Sequence, residues 1–399
     1  MKSKDIVEQL LKNQPKEPVS IQEQAQAFAP SNIALCKYWG KRDEQLNLPL
    51  TNSLSISLGK LGACTRISEM ENDRPVVIPA DAGIQSKITN NIQDSICVNG
   101  HELSAWQSLQ ENSFGQRLTK FLDLFRPRPS VRYRVETEVN IPIAAGLASS
   151  ACGFAALVKA LKKLYGWDLS AIELSVLARL GSGSACRSLW DGFVEWEKGE
   201  RDDGLDSKAT RMEAVWPELR VGLLIVDQKQ KTISSRLAMQ RTKETSIFYR
   251  QWPKKVDQDL KIIKDAIAAK DFIALGEAAE SNAIAMHALM LTAKPAIQFS
   301  SPETLNLMQH VWKYRAEGLS VYFTQDAGPN LKLLFLEKDQ NTIHELFPNV
   351  LVVDPWSEMC RHVERPQRWV GAGTGPYDGL DEDDGRGWSR GLPVTVKEL

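Results

Sequence analysis

The sequence predicts an α+β protein with two domains. At 399 residues and 43% hydrophobic content, the chain is long enough for two domains and can fill sizeable cores. Strand and helix patterns alternate up to residue 216, and a new apolar strand begins after Pro217. We therefore expect an extension at 1–24, domains at 25–216 and 217–360, and an irregular tail at 361–399.

The patterns in the first domain are local and clear. Residues 1–24 predict a short amphipathic helix in a peripheral extension, ended by prolines. Serines alternate with Leu or Ile over 53–58, which is typical of a half-buried strand. A helix is expected over 114–125, and the strict alternation over 131–139 predicts a strand.

A loop of small residues follows that strand and opens a helix. Residues 141–151 contain Gly146 and the pair Ser149 and Ser150, and an alanine-rich helical pattern continues to residue 165. Free amides and the positive end of a helix dipole attract phosphate, and glycine allows close approach of the backbone. An ordinary loop before a packed core helix is the alternative interpretation of this stretch alone.

A second loop of the same character follows the next helix. Ser170 and Glu173 form a capping box, and this helix is predicted to end near Leu180. Residues 181–188 then combine two glycines, three serine hydroxyls and Arg187, which together suit an anion. A simple helix C-cap and turn is the alternative. Two such loops in one domain favour a phosphate or carboxylate site.

A basic and aromatic cluster occupies residues 37–42, directly after an apolar strand pattern. Its two aromatic residues and three cations, Lys37, Lys41 and Arg42, suit a phosphorylated ligand. The alternative is a solvated basic turn, because charged runs usually form surface.

The second domain is predicted as an α/β sandwich. A polar turn is expected at 234–236, and Asp326 lies in a turn between two strands, where aspartate is most often a turn residue. The predicted strands are 221–226, 320–324, 332–336 and 350–353, and the predicted helices are 257–269, 272–291, 302–315 with Ser301 as its cap, and 342–346.

Composition excludes several classes of function. A net charge of −1 argues against a nucleic-acid or anionic-membrane surface. No apolar run has membrane-spanning length, and the N-terminus lacks the pattern of a signal peptide, so a cytoplasmic location is expected. The six cysteines and five histidines are scattered without metal-ligand spacing, so no metal site built by the protein alone is expected.

Taken together, these motifs resemble those of the diphosphomevalonate decarboxylase family, within the GHMP kinase superfamily, over about residues 25–353. Residues 142–151 resemble the superfamily's phosphate loop, whereas 37–42, 181–188 and 326–330 resemble decarboxylase signatures. The resemblance implies an N-terminal domain similar to ribosomal protein S5 domain 2 and a ferredoxin-like C-terminal domain, with the active site between them. It also implies a homodimer.

The implied reaction converts ATP and (R)-5-diphosphomevalonate to isopentenyl diphosphate, carbon dioxide, ADP and phosphate. By resemblance, Asp326 is the base or hydroxyl-orienting group, Lys37 lies beside it, and Arg187 holds the substrate carboxylate. The expected substrate-binding residues are Tyr38, Trp39, Gly40, Lys41, Ser182, Gly183, Ser184, Ala185, Cys186, Arg187, Ser235 and Arg236. The expected ATP-binding residues are Gly146, Leu147, Ala148, Ser149, Ser150 and Ala151, with Mg²⁺ held mainly by phosphate oxygens and Ser149 or Ser150 as the candidate protein contact.

The chain departs from the family pattern in a few places. Relatives often carry an arginine where this chain has Ser95, some carry threonine at the position of Arg236, and residues 74–93 look like an insertion. Two rival activities stay open: a decarboxylase of a differently phosphorylated mevalonate, and an enzyme that only phosphorylates the 3-hydroxyl. A nucleic-acid-binding or scaffold protein on the same fold is the rival from another class, and the near-neutral charge counts against it.

Overall fold

A computed structural model of the chain describes residues 2–19, 24–70, 94–103, 114–141, 149–227 and 233–357. The predicted insertion at 74–93 and tail at 361–399 lie outside the described residues, as do Gly146, Leu147 and Ala148 of the first loop.

In the part of the chain that the structure describes, the strands form two main sheets and one short ladder. The strands are β1 (Ala25–Cys36), β2 (Lys41–Asp43), β3 (Leu48–Pro49), β4 (Ser53–Met70), β5 (Ser95–Val98), β6 (His101–Glu102), β7 (Arg132–Val139), β8 (Phe193–Trp196), β9 (Ala209–Arg211), β10 (Leu219–Leu224), β11 (Val321–Gln325), β12 (Leu331–Leu336) and β13 (Leu351–Val353). The larger sheet has the order β6-β5-β7-β4-β8-β9 with β1 also paired to β4, and the second has the order β11-β12-β10-β13. All strand pairs are antiparallel except β5 with β7.

Helices cover these sheets. They are α1 (Ser3–Leu10), α2 (Phe114–Leu122), α3 (Ser149–Tyr165), α4 (Ala171–Gly181), α5 (Ser235–Thr245), α6 (Trp252–Ala269), α7 (Phe272–Leu291), α8 (Pro302–Ala316) and α9 (Gln340–Leu346). Within the described ranges, short 3₁₀ helices lie at Gly183–Leu189, Tyr249–Gln251 and Glu337–Asp339. The predicted α+β class is confirmed. Among the described residues, no helix is both long enough and apolar enough to cross a membrane.

The long strand β4 holds the first domain together. It pairs with β1, with β7 through its C-terminal half and with β8 through its N-terminal end. Both α3 and α6 pack against β1 and β4, and every residue over 53–58 is buried. The prediction of a half-buried strand was therefore wrong here, because the serine face is covered as well as the Leu and Ile face.

The N-terminal segment packs more closely than the predicted peripheral extension. Ile6 and Val7 are buried in the main core, and α1 packs against α4. The Val19 amide donates to the Leu164 carbonyl at 3.1 Å, and the Trp167 indole donates to the Pro15 carbonyl at 3.1 Å. The amphipathic helix was predicted correctly, and its apolar face is what attaches it.

In the second half of the chain, the caps and the hairpin match the predictions. Ser301 accepts a hydrogen bond from the Thr304 amide at 3.2 Å, and β11 pairs with β12 to form the hairpin that carries Asp326. Helices and sheet bury both faces of β12, since its residues belong alternately to the main core and to a second core beneath α8 and α9. The predicted polar turn at 234–236 is wrong: Ser234 caps α5, and Ser235 and Arg236 open that helix.

Candidate active site

Two lysines and an aspartate meet where the two halves of the chain pack together. Lys37 follows the end of β1, Asp326 follows the end of β11, and Lys332 lies in β12. The Lys37 Nζ atom is 2.8 Å from Asp326 Oδ1, and the Lys332 Nζ atom is 3.1 Å from Asp326 Oδ2. The side chains of Lys37 and Lys332 are 2% and 1% exposed, whereas that of Asp326 is 23% exposed. The carboxylate therefore has its ammonium partners on the protein side and one side open.

The charges in this cluster decide its protonation. Burial alone would raise the pKa of Asp326, but the ammonium groups of Lys332 and Lys37 hold it far below its usual range. Burial lowers the pKa of Lys37, and Asp326 opposes that shift. Asp326 is consequently ionised at neutral pH and is ready to accept a hydrogen bond.

Three neighbours fix the backbone of this cluster. The Lys37 amide donates to Asn282 Oδ1 at 2.8 Å, and Asn282 in turn donates to Asp259 Oδ2 at 2.8 Å. The Asp326 carbonyl lies 3.2 Å from His287 Nε2. Burial lowers the pKa of His287 to about 4, so its ring is neutral at pH 7. Helix α7, which supplies Asn282 and His287, therefore holds both Lys37 and the turn at Asp326.

Arg187 lies in the 3₁₀ helix that follows α4, and it is 3% exposed. Its Nη1 atom donates to Ser53 Oγ at 2.6 Å, and Nε and Nη2 each lie 3.4 Å from Asn32 Oδ1. Among the described residues, no carboxylate lies within ion-pair distance of Arg187. Asp326 is nevertheless close enough to influence it electrostatically, while burial lowers the pKa of Arg187. The guanidinium is thus held by neutral groups on the same side of the molecule as Asp326.

Tyr38 and Gly183 pack together against Trp196. The Tyr38 ring packs on Trp196 with a centroid distance of 4.8 Å, and the Tyr38 hydroxyl is buried without a hydrogen-bond partner among the described residues. A Cβ atom on Gly183 would lie 2.8 Å from the Trp196 side chain and 3.1 Å from the Tyr38 hydroxyl. Glycine is therefore required here by close packing. Burial raises the pKa of Tyr38, so it stays a neutral hydrogen-bonding group.

Lys41 and Arg236 form a second basic pair in the predicted substrate site, in which Lys41 is buried and Arg236 is exposed. Lys41 Nζ is 2.8 Å from Glu44 Oε2, and burial lowers the pKa of Lys41. Arg236 is exposed on the first turn of α5 and influences both Lys41 and Tyr38 electrostatically. Ser235 is half-buried beside it. The structure therefore brings Tyr38, Lys41 and Arg236 into one neighbourhood.

Several predicted ligand residues have their side chains in the protein interior. Trp39, Ala185 and Cys186 are buried, and Cys186 donates to the Gly183 carbonyl at 3.0 Å. Gly40 has φ +118°, and a Cβ atom there would collide with the Tyr249 hydroxyl. Any ligand contact at Ala185 or Gly40 is thus a backbone contact. Ser182 and Ser184 are half-buried, and the Ser184 carbonyl accepts a bond from Asn32 at 3.4 Å.

The predicted nucleotide loop is described only at its helical end. Helix α3 begins at Ser149, Ser150 is half-buried and Ala151 is buried in the core. The start of a 17-residue helix is suitable for phosphate, since its first amides have no partner within the helix. Among the described residues there is no group of acidic, histidine or cysteine side chains that could hold a metal ion.

The sequence interpretation missed Lys332, Asn282, His287 and the partners of Arg187. One signal was available for Lys332, because a single lysine inside the apolar segment Leu331–Leu336 is either paired or functional. Asn32 lies in the apolar strand pattern that was recognised directly before the basic cluster at 37–42. Asn282 and His287 had no local signal, because α7 otherwise looks like an ordinary packed helix.

Comparison with known proteins identifies two family models across the chain. The family described as "Diphosphomevalonate decarboxylase-like N-terminal domain" matches residues 29–209, and "Mevalonate 5-diphosphate decarboxylase C-terminal domain" matches residues 221–370. The curated diphosphomevalonate decarboxylase mvd1 of Aspergillus fumigatus is 37% identical over 324 residues, covering 80% of this chain and 78% of that protein.

Solved structures of the same family are similar in fold. Mevalonate diphosphate decarboxylase from Staphylococcus aureus is 34% identical with a TM-score of 0.72, covering 83% of this chain and 95% of that one. A structure of MDDEF in complex with MVAPP, AMPPCP and magnesium is 35% identical with a TM-score of 0.71, covering 83% of this chain and 96% of that one.

Proposed function

The chain belongs to the diphosphomevalonate decarboxylase family, and we infer that it catalyses the ATP-dependent decarboxylation of (R)-5-diphosphomevalonate in the mevalonate route to isoprenoids. The products are isopentenyl diphosphate, carbon dioxide, ADP and phosphate. One observation carries the assignment of the site: the ionised Asp326, paired with Lys37 at 2.8 Å, lies within electrostatic range of a buried Arg187.

Asp326 orients the tertiary 3-hydroxyl of the substrate. Its open side faces away from the two lysines, so a hydroxyl can donate to an oxygen of the carboxylate there. Because Lys37 and Lys332 keep Asp326 ionised, it accepts this bond at all physiological pH values. Holding the hydroxyl in line with the phosphoryl donor is the main catalytic requirement of phosphoryl transfer.

Arg187 holds the carboxylate that leaves as carbon dioxide. Its planar guanidinium suits bidentate binding of a carboxylate, and its present partners, Asn32 and Ser53, are neutral. When phosphate leaves the tertiary carbon with the electrons of the C–O bond, positive charge develops there. The bond between the carboxyl carbon and the neighbouring methylene carbon then breaks, and its electron pair forms the new double bond as carbon dioxide leaves. Asn32 and Ser53 position Arg187 for this step.

The diphosphate end of the substrate is assigned to a second group of donors, which joins the buried Lys41 with the exposed Arg236. The Tyr38 hydroxyl, Lys41 and the first turn of α5 with Ser235 and Arg236 supply donors and positive charge in one neighbourhood. The N-terminus of α5 adds backbone amides, since only the Leu237 amide is capped by Ser234. This division separates the reacting end of the substrate from its anchoring end.

ATP and Mg²⁺ are the cofactors of the reaction. Ser150 and the first amides of α3 would hold phosphate oxygens, together with the predicted loop residues Gly146, Leu147, Ala148 and Ser149. We propose that Mg²⁺ is bound mainly by phosphate oxygens and water, with Ser149 or Ser150 as the candidate protein contact. Such an ion neutralises charge on the transferred phosphoryl group.

Three further proposals concern the whole protein. The domain boundary at residue 217 is supported by its place between the two family matches, 29–209 and 221–370. A cytoplasmic location is supported by the five described cysteines, all of which are free thiols. A homodimer is the family expectation, and light scattering after size exclusion would measure its mass. That the protein binds no nucleic acid is proposed from its net charge of −1.

Incubation with ATP, Mg²⁺ and (R)-5-diphosphomevalonate tests the function, with ADP and carbon dioxide followed together. A parallel reaction contains 5-phosphomevalonate. We expect equal amounts of ADP and carbon dioxide from the diphosphate and neither from the monophosphate. Decarboxylation of the monophosphate would mean that 5-phosphomevalonate is the substrate of this enzyme. ADP without carbon dioxide would mean that the enzyme only phosphorylates the 3-hydroxyl.

A further inference from the structure

We propose that Lys332 is a positioning residue for the reaction, acting through Asp326 as a second ammonium that fixes the orientation of its carboxylate. The proposal rests on the proposed function, in which Asp326 orients the 3-hydroxyl. Lys332 belongs to neither the predicted substrate site nor the predicted ATP site.

The two lysines bind different oxygens of the Asp326 carboxylate. Lys37 contacts Asp326 Oδ1 at 2.8 Å and Lys332 contacts Oδ2 at 3.1 Å, so each oxygen has its own ammonium. One lysine alone would leave the carboxylate free to rotate about its last bond. Two lysines attached to different elements, the end of β1 and β12, prevent that rotation. The remaining lone pairs of the carboxylate then point toward its open side.

The fold does not need a charge at position 332. Lys332 lies between Leu331 and Leu333 in a strand whose neighbours are buried, and its side chain is 1% exposed. An apolar side chain of similar length would fill this position without the cost of removing an ammonium from water. The Lys37 pair already neutralises Asp326, so a second lysine makes the trio net positive. Burying this second ammonium lowers the stability of the fold. Its presence is explained by two effects: it fixes the orientation of the Asp326 carboxylate, and it attracts an anionic substrate.

Lys332 is also held in place independently of Asp326. Its Nζ atom donates to the Asn330 carbonyl at 3.3 Å, and Lys332 pairs in register with Thr324, two residues before Asp326. The Thr324 hydroxyl donates to the Ala34 carbonyl at 3.3 Å, and Lys37 Nζ donates to the same carbonyl at 2.8 Å. Both lysines are therefore anchored to one rigid junction between β1 and the β11-β12 hairpin.

Lys332→Met tests the charge while keeping the volume of the side chain. We expect kcat for carbon dioxide release to fall about 10- to 100-fold, because the hydroxyl acceptor loses its fixed orientation. The KM for ATP should stay unchanged. Lys264→Met is the control for loss of a lysine in another ion pair: Lys264 is 2.6 Å from Glu195 Oε2, and its loss should leave kcat unaltered.

Lys332→Ala with added small molecules separates charge from packing. Propylammonium carries the atoms that the substitution removes, and 1-propanol has a similar size without the charge. We expect propylamine to restore part of kcat and 1-propanol to restore none. Wild-type kcat in Lys332→Met, or equal rescue by both compounds, would overturn the positioning role. A wild-type enzyme that releases no carbon dioxide would instead overturn the proposed function and this inference with it.

Discussion

Asp326 and Arg187 are the two charged groups that face the proposed reacting end of the substrate, and their surroundings differ. Asp326 has two ammonium partners, Lys37 at 2.8 Å and Lys332 at 3.1 Å. Arg187 has neutral partners: it donates to Ser53 and Asn32, and its guanidinium lies 5.9 Å from the centroid of the Trp196 ring, with no ion pair among the described residues. The negative charge is therefore matched within the protein, whereas the positive charge of Arg187 is not.

This difference indicates how each group works. A carboxylate with both oxygens bound by lysines is fixed in orientation and in charge before substrate arrives. A buried guanidinium without a carboxylate is stabilised further when an anion binds, because a buried charge without a charged partner is costly. These surroundings support the proposed roles of Asp326 as an orienting group and of Arg187 as the receptor for a carboxylate.

The largest expected effect comes from Asp326→Asn, which removes the negative charge that Lys37 and Lys332 balance. The amide keeps the shape of the carboxylate but loses its negative charge. Turnover should therefore fall about 10²- to 10⁴-fold. Carbon dioxide release gives kcat, and fluorescence titration with an ATP analogue gives nucleotide affinity, which should change little. A variant that keeps most of its turnover would remove Asp326 from the mechanism.

Arg187→Lys tests whether Arg187 binds the carboxylate of the substrate. A lysine keeps the charge but cannot form two parallel bonds to a carboxylate, so kcat/KM for the diphosphate should fall about 10- to 100-fold. Arg179 is a matched control, since it is fully buried and donates to the carbonyls of Gly204 and Ser207. Arg179→Lys should lower the melting temperature more than it lowers kcat/KM. Near-normal kinetics in Arg187→Lys would contradict the assignment.

The smallest expected effect concerns His287, which holds the backbone of the turn at Asp326. Its pKa is about 4 in the folded protein against an ordinary value of 6.5, so the unfolded chain binds more protons between these values. Stability should therefore fall as the pH drops from about 6.5 to about 4, by on the order of 3 kcal/mol at roughly 1.4 kcal/mol per pH unit.

His287→Gln should remove that part of the pH dependence. Urea unfolding at pH 4.5 and pH 7 measures it, and the wild-type protein should lose more stability between the two values than the variant. Equal losses in both proteins would mean that His287 is protonated in the folded state. That result would contradict the lowered pKa of His287 in the folded protein.

Much of the secondary structure could be predicted from the sequence because its causes are local. The capping box of Ser170 and Glu173 and the cap at Ser301 depend on residues three positions apart, and both predictions are confirmed. The helix predicted over 272–291 is confirmed as Phe272–Leu291, and the strand-turn-strand pattern around Asp326 is confirmed as a hairpin. Errors arose where a nearby cap was overlooked, as at Ser234.

For the site, the sequence by itself determined the kinds of residue and the family they belong to. Lys37, Arg187 and Asp326 were recognisable because their motifs are short and contiguous, although their roles stay proposals. Only the tertiary structure decided which charged side chains form ion pairs with one another. The pair of Lys37 and Asp326 spans 289 residues, and Asn282 reaches the Lys37 amide across 245. Such contacts depend on how sheets and helices pack, and no local pattern encodes the distance between two side chains that meet only after folding.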